Sequence, residues 1–361
     1  MNEEKIENDV RWIFCLKNKP IRKLKKILKL KEKVSLESYY YVYSNEDENE
    51  MSKNELIDYI FGHLTNDNVI YDFISTLTED EFNMLVKIYN NDCCLIDNKY
   101  VYHNINWLMN YGIIYLFGYE KNIYLVIPDE IKEILDTIDL DEYKENVKEN
   151  TNIVNLAYSM LNLYGPVSID TFSSYYEKYY GRQFDSLNDF TSFFGERRTN
   201  PIDIVRYNDL FYLIKTEFLD ELFEKSKYTY LMNRDVDDFF IVNYKPIEIE
   251  ELLKYCDSFY YKENEYMLKF VNYLVSKGMK EEDAKDCVGS IINSFVSDYN
   301  DGMELLAEDF AEFNFELNDD NIDEILTYVN EVIDNIPLWG NKGWTNKEII
   351  LRKNNIMNDL K

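Results

Sequence analysis

Histidine is almost absent from the chain: His63 and His103 are the only two in 361 residues. Neither lies near a second cluster of metal-type ligands in sequence, so a zinc or di-metal site is not expected. Six prolines and eleven glycines signal no long flexible linker. No apolar run reaches the roughly 18 to 20 residues that a membrane span needs, and a soluble product is expected. The five cysteines, Cys15, Cys93, Cys94, Cys256 and Cys287, are odd in number, contain no CxxC and include a vicinal pair. That pattern argues against a disulfide framework or zinc ribbon and for free thiols. The first residues, MNEEKIENDVRW, carry neither the basic nor the apolar region of a secretory signal, so a cytoplasmic location is expected.

The usual chemical signatures are missing as well. No G-x-x-x-x-G-K-[ST], G-x-G-x-x-G or G-x-S-x-G occurs. DYNDG at 298–302 is too short for a calcium loop and has no closing glutamate. A thiol and imidazole pairing among Cys93, Cys94 and His103, and a nuclease-like Asp97-Asn98-Lys99 triplet after CCLI, are weak signals. Such combinations arise by chance in a chain that is 30% charged. No catalytic residue, metal or cofactor is assigned, and a non-catalytic protein is expected.

What is abundant is acid. Sixty-eight Asp and Glu against 39 Lys and Arg give a formal net charge of −29. A field of that sign repels nucleic acid and anionic membranes and speeds encounter with basic partners. The charge is also unevenly placed. Residues 17–33, KNKPIRKLKKILKLKEK, hold nine bases and one acid, whereas residues 281–340 hold seventeen acids and one base, Lys285.

Hydrophobic spacing and end signals divide the chain into four segments, and the fold class expected is mainly α, with α+β character in the middle. Segment 1–66 is a basic helix-extension-helix head. In it, a short helix over 9–16, a break at Pro20 and a basic helix with Ile21, Leu24, Ile27 and Leu28 on one face are followed by an extended LESYYYVYSNEDENE. Ser52 and Glu55 then form an S-x-x-E capping box that opens NELIDYIFGHL. Segment 67–150 reads as a first winged-helix-like module: VIYDFISTL, a helix opened by a Thr78–Glu81 capping box, a CCLI strand, a third helix over 103–111 closed by Gly112, and the strands IIYLF and IYLVI. Pro128 then opens DEIKEIL. Segment 151–232 repeats that order, with a hairpin around Asn208-Asp209; YLVIPDEIKEIL and YLIKTEFLDELF align at an offset of 88. Segment 233–361 is an acidic helical bundle ending in a clasp of tryptophan and glycine.

Helix, extension, helix is the order of SAP-like and Rho N-terminal-like modules, which the head resembles; those modules often touch nucleic acid. A winged helix that reads DNA needs Arg, Lys, Asn or Gln on its third helix and cations on its wing. In the first module that helix has no Lys or Arg, and the wing GYEKN sets Glu120 beside Lys121. In the second, the third helix over 186–194 carries Asp189, and only Arg197 and Arg198 follow. These modules are therefore expected to pack or to bind protein instead of reading DNA.

NIPLWGNKGWTNKEI, residues 335–349, is similar to an NNTxxWxxxGxTPxEL segment near the end of uncharacterised bacterial proteins, many of which finish with a cysteine-rich SEC-C zinc motif. Asn335, Trp339, Gly343, Thr345 and Glu348 match; Ile336, Trp344, Asn346 and Ile349 depart from the pattern. The SEC-C cysteines are missing, so the resemblance implies architecture and no zinc tail. Trp339, Gly343, Trp344, Thr345 and Glu348 form the expected structural clasp, with Thr345 and Glu348 as a T-x-x-E capping box.

Two surfaces remain as candidates for function. Glu304, Glu308, Asp309, Glu312, Asp319, Asp320, Asp323 and Glu324 can line up carboxylates in the manner of a phosphate backbone. They are the expected binding surface for a basic protein partner, such as nucleic-acid-handling machinery, and a phage or mobile-element inhibitor would fit that physics. Lys17, Lys19, Arg22, Lys23, Lys25, Lys26 and Lys29 make the basic head the alternative, as a DNA- or RNA-binding regulator or as a surface docked on the chain's own acids. A divergent nuclease centred on Asp97 and Lys99 is a third reading.

Overall fold

A computed structural model describes residues 13–15, 20–44, 51–91, 94–95, 101–119, 122–184, 190–191, 193–194, 202–207, 209–215, 243–257, 264–297, 299–318 and 321–359. The described chain is mainly helical, with fifteen α-helices and two small sheets. It divides into two compact units: residues 1–154 with 193–200, and residues 155–192 with 201–361.

In the first unit the elements run β1 (Ile13–Cys15), α1 (Leu24–Leu30), α2 (Lys33–Ser44), α3 (Lys53–Leu64), α4 (Asp67–Ser75), α5 (Glu79–Asn90), β2 (Cys94–Leu95), α6 (Val101–Asn110), β3 (Tyr115–Tyr119), β4 (Asn122–Val126) and α7 (Asp129–Leu135). Helix α8 (Lys144–Tyr164) begins in this unit. The sheet order is β1-β3-β4-β2; β3 and β4 form the antiparallel hairpin, and β1 runs parallel to β3 with Phe14 opposite Phe117.

Two local expectations fail here. The short helix expected over 9–16 is, at 13–15, a strand: β1 completes the free edge of β3, a gain that local sequence cannot register. The expected extended segment is, through Ser44, part of helix α2, and its residues 45–50 lie outside the described residues. Its tyrosines favour a strand by propensity, but Leu36, Tyr39 and Tyr43 follow helical spacing, and burying Leu36 and Tyr39 completely or nearly so decides the outcome. Among its described residues the head therefore holds β1 and three helices, and it shares one core with the segment after it, from Leu24, Ile27 and Leu28 on α1 through Phe73, Leu85 and Phe117 to Val147.

Helix starts follow the sequence signals. The Ser52 backbone N–H donates to Glu55 Oε2 at 2.7 Å and the Glu55 N–H to Ser52 Oγ at 3.4 Å. Thr78 donates to Glu81 Oε2 through its N–H and through its hydroxyl, each at 2.8 Å. Two groups per helix start that would otherwise lack partners are thus satisfied. Further along, Asn150 Nδ2 donates to the carbonyls of Ser75 and Leu77, holding α8 against the end of α4.

The second unit takes the end of α8, then β5 (Val167–Ser168), α9 (Ile169–Tyr180), β6 (Ile202–Tyr207), β7 (Leu210–Lys215), α10 (Ile249–Leu252), α11 (Glu265–Ser276), α12 (Glu281–Ser297), α13 (Tyr299–Glu312), α14 (Ile322–Ile333) and α15 (Asn346–Asp359). Its sheet has the order β5-β7-β6, and Asp209, at φ 62°, adopts the left-handed conformation that tight hairpins require. The expected third helix over 186–194 and the segment aligned at 212–223 fall largely outside the described residues. Helices α11 to α14 close over Phe270, Leu274, Cys287, Ile291, Phe295, Phe310, Ile325 and Val329, joined by Tyr212 and Trp339. Contact between α12 and α13 is close: a Cβ on Gly302 would sit 2.4 Å from the Phe295 ring.

Candidate partner-binding surface

Helix α13 buries Gly302, Leu306, Asp309 and Phe310 and turns Met303, Glu304, Leu305, Ala307, Glu308, Ala311 and Glu312 to solvent. Glu304, Glu308 and Glu312 fall in one row at four-residue spacing, about 6 Å apart along the axis. They make no hydrogen bond or ion pair among the described residues. Lys285, the one base in this stretch, is held by Glu281 on its own helix at 2.6 Å.

Asp309 departs from the expected surface set. It is 9% exposed and turned inward, where its carboxylate accepts from Ser290 Oγ at 2.6 Å and Ser294 Oγ at 3.1 Å on α12. The helical turn that puts Glu308 and Glu312 outside puts Asp309 inside, so it bridges helices. Burial first, and then the charges of Asp309 and Glu312, push the neighbouring Cys287 thiol up to about 12, which keeps it protonated and inert.

Asp319 and Asp320 lie outside the described residues. Asp323 is exposed on the first turn of α14. Glu324 is exposed too, but it accepts from Tyr273 Oη at 2.9 Å and pairs with Lys277 at 3.2 Å, and these contacts hold its carboxyl below the usual range. Its charge is largely answered within the unit.

The tryptophan clasp packs on the end of α8. Trp339 is 5% exposed, and its Nε1 donates to the Asn162 carbonyl at 2.9 Å. A Cβ on Gly165 would lie 2.8 Å from the Trp339 ring, and one on Gly343 would lie 2.6 Å from the Tyr164 ring. Both glycines have positive φ, 73° and 82°, so turn geometry and close approach demand the same residue type. Trp344 donates from Nε1 to the Asn243 carbonyl, and the Arg352 guanidinium lies 4.0 Å from its ring centre.

The Thr345 N–H donates to Glu348 Oε2 at 2.9 Å and the Glu348 N–H to Thr345 Oγ1 at 3.2 Å. Lys245, which sequence reasoning did not connect to the clasp, pairs with Glu348 at 2.7 Å. Burial alone would raise the Glu348 carboxyl; Lys245 and Thr345 outweigh it and hold the group below its ordinary range.

In the first unit, Lys17 and Lys19 lie outside the described residues and Arg22 is half-buried. Lys23 pairs with Asp129 at 3.3 Å, and Lys25 with Asp58 at 2.8 Å while lying 4.6 Å over the Phe61 ring. Lys26 and Lys29 are exposed and make no ion pair among the described residues. Lys31, absent from the sequence-based set, is 4% exposed between the rings of Tyr39 and Tyr115, and burial pushes its amine down to about 8. His63 stacks on Tyr43 with ring centres 4.0 Å apart, and burial lowers its pKa to about 4, so it is neutral near pH 7.

Among the described residues no group of three or more His, Cys, Asp or Glu could hold a metal ion. Cys93, Asp97 and Lys99 lie outside the described residues, as does the side chain of His103. No helix among the described residues is long and apolar enough to cross a membrane. Compared with protein-family models, curated proteins and solved structures, the chain has no match.

Proposed function

We propose that the chain is a non-catalytic, cytoplasmic interaction protein that engages a basic protein partner through the acidic outer surface of its second unit. Two tandem winged-helix-like modules and an acidic helical bundle are its architecture in this reading, and nucleic-acid-handling machinery is the class of partner it fits. The observation that carries the proposal is the row Glu304, Glu308 and Glu312. These three exposed carboxylates have no counter-charge among the described residues, in a stretch with seventeen acids and one base. An acidic face of this kind attracts cationic surfaces, and salt screens the attraction over about 10 Å at 0.1 M.

Lys26 and Lys29 support the alternative, nucleic-acid binding by the head. That footprint is reduced, because Lys23 and Lys25 are already paired with Asp129 and Asp58. Phosphate binding grows with the number of free cations, so losing two weakens it steeply.

Affinity capture of the full chain in host lysate, at increasing salt, separates the readings. The proposal expects a basic protein that elutes as salt rises and is lost when Glu304, Glu308 and Glu312 are changed to Lys. Recovery of nucleic acid that disappears in Lys26→Glu/Lys29→Glu would favour the head instead.

A further inference from the structure

We infer that the outer face of α13 receives a basic amphipathic helix from the partner protein, an inference that rests on the proposed engagement of a basic partner. Two parallel rows lie on that face. Met303, Ala307 and Ala311 form an apolar row, and Glu304, Glu308 and Glu312 form an acidic row beside it, each spanning about 12 Å of helix. Met303 and Leu305 remain 37% and 41% exposed, on either side of Glu304.

The acidic row is unfavourable for the helix that carries it. Like charges four residues apart repel, and negative charge in the last turn opposes the helix dipole. Helix α13 has no base in that turn, and its three glutamates have no partner among the described residues. A cation supplied from outside would relieve both terms.

Within the second unit, charge selects this face over the other large apolar residues that are exposed among the described residues. Leu268 and Val275 on α11 sit among Lys269, Lys277 and Glu265, and Ile350 and Leu351 on α15 sit beside Lys347 and Arg352. Only on α13, among these, do the described charged residues that flank the exposed apolar positions on the same helix all carry carboxylates. The two rows match a helix as the occupant. Rows repeating every four residues form ridges and grooves that another helix fills with its own four-residue rows, and Ala307 and Ala311 let the two backbones approach. The matching partner presents Lys or Arg at four-residue spacing beside a row of Leu and Ala. A nucleic acid, carrying the same sign of charge as the face, is repelled.

The test uses the full chain and a fluorescent synthetic helix of about four turns with those two rows, set against a peptide of identical composition shuffled so that the rows are broken. Fluorescence anisotropy should show the patterned helix binding about tenfold tighter than the shuffled one. Glu304→Lys with Glu308→Lys should weaken the patterned helix at least about tenfold. Met303→Asn with Leu305→Asn should erase the preference for pattern while leaving the salt-dependent part. All four positions are exposed, so unchanged circular dichroism checks the fold.

Equal binding of both peptides would overturn the helix inference and leave the basic-partner reading standing. Failure of both peptides to bind would overturn the two together. Salt-sensitive self-association abolished by Lys26→Glu/Lys29→Glu would identify the occupant as α1 of a second copy and overturn the foreign helix.

Discussion

Gly343→Ala is expected to destabilise the second unit by about 2 to 5 kcal/mol. At φ 82° an alanine takes a left-handed conformation that is unfavourable by roughly 1 to 2 kcal/mol. Its Cβ would lie 2.6 Å from Tyr164 Cε1 and 3.3 Å from Leu163 Cγ. The Tyr164 ring cannot easily withdraw: it is fully buried, and its hydroxyl donates to the Lys245 carbonyl at 2.7 Å. Overpacking of this kind adds about 1 to 3 kcal/mol. The internal control is Gly340→Ala, three residues away, where an added Cβ meets nothing within 4 Å. That change should stay within about 0.5 kcal/mol of the parent. Thermal unfolding followed by tryptophan fluorescence reads the difference, with Gly343→Ala melting about 5 to 15 °C lower and Gly340→Ala unmoved. Equal midpoints for the two variants, or a larger loss at Gly340, would refute the packing of the clasp on Tyr164.

Three further outcomes follow from buried polar groups. Lys31 keeps its proton only up to about pH 8 in the folded chain but to its ordinary 10.5 when unfolded, so between pH 8 and 10 the unfolded state binds more protons and stability rises with pH. The rise is up to about 1.4 kcal/mol per pH unit, it ends where the tyrosines begin to titrate, and Lys31→Met should abolish it while adding about 1 to 3 kcal/mol at pH 7. Urea unfolding across that window checks both points. His63, neutral in the fold to about pH 4, makes stability fall as pH drops from 6.5 to 4, and His63→Phe should flatten that limb of an acid titration. Asp309→Ala leaves the Ser290 and Ser294 hydroxyls without their carboxylate acceptor and should lose about 1 to 3 kcal/mol in chemical denaturation, with Asp309→Asn losing less.

Much of the helical frame was legible because its signals are local. The capping boxes at Ser52, Thr78 and Thr345, the positive-φ glycines at 112 and 343 and the two hairpins depend on neighbours within a few residues. Where sequence reasoning failed, a distant partner decided. Tyr39 and Tyr43 look like strand residues until Met109 and Tyr111 offer carbonyls to their hydroxyls, about 70 positions away. Strand β1 exists because β3 has an edge to fill.

The acidic surface was legible as a concentration of charge but not as a geometry. Composition counts Asp309 with Glu308 and Glu312, whereas the helical period turns it toward two serines. Likewise Glu324 is spent on Tyr273 and Lys277 about 50 residues earlier, and Lys245 reaches Glu348 across 103 positions. What remains of the expected surface among the described residues, once these are subtracted, is Asp323 and the row on α13.

In the proposed function this row, and not the basic helix α1, carries partner recognition. Binding of the captured basic partner to the parent chain, to Glu304→Lys/Glu308→Lys/Glu312→Lys and to Lys26→Glu/Lys29→Glu, each titrated at low and high salt, tests it most directly. Loss of at least about tenfold in the glutamate variant at low salt, with the lysine variant unchanged, is the predicted result. Full affinity in the glutamate variant, or loss confined to the lysine variant, would contradict it.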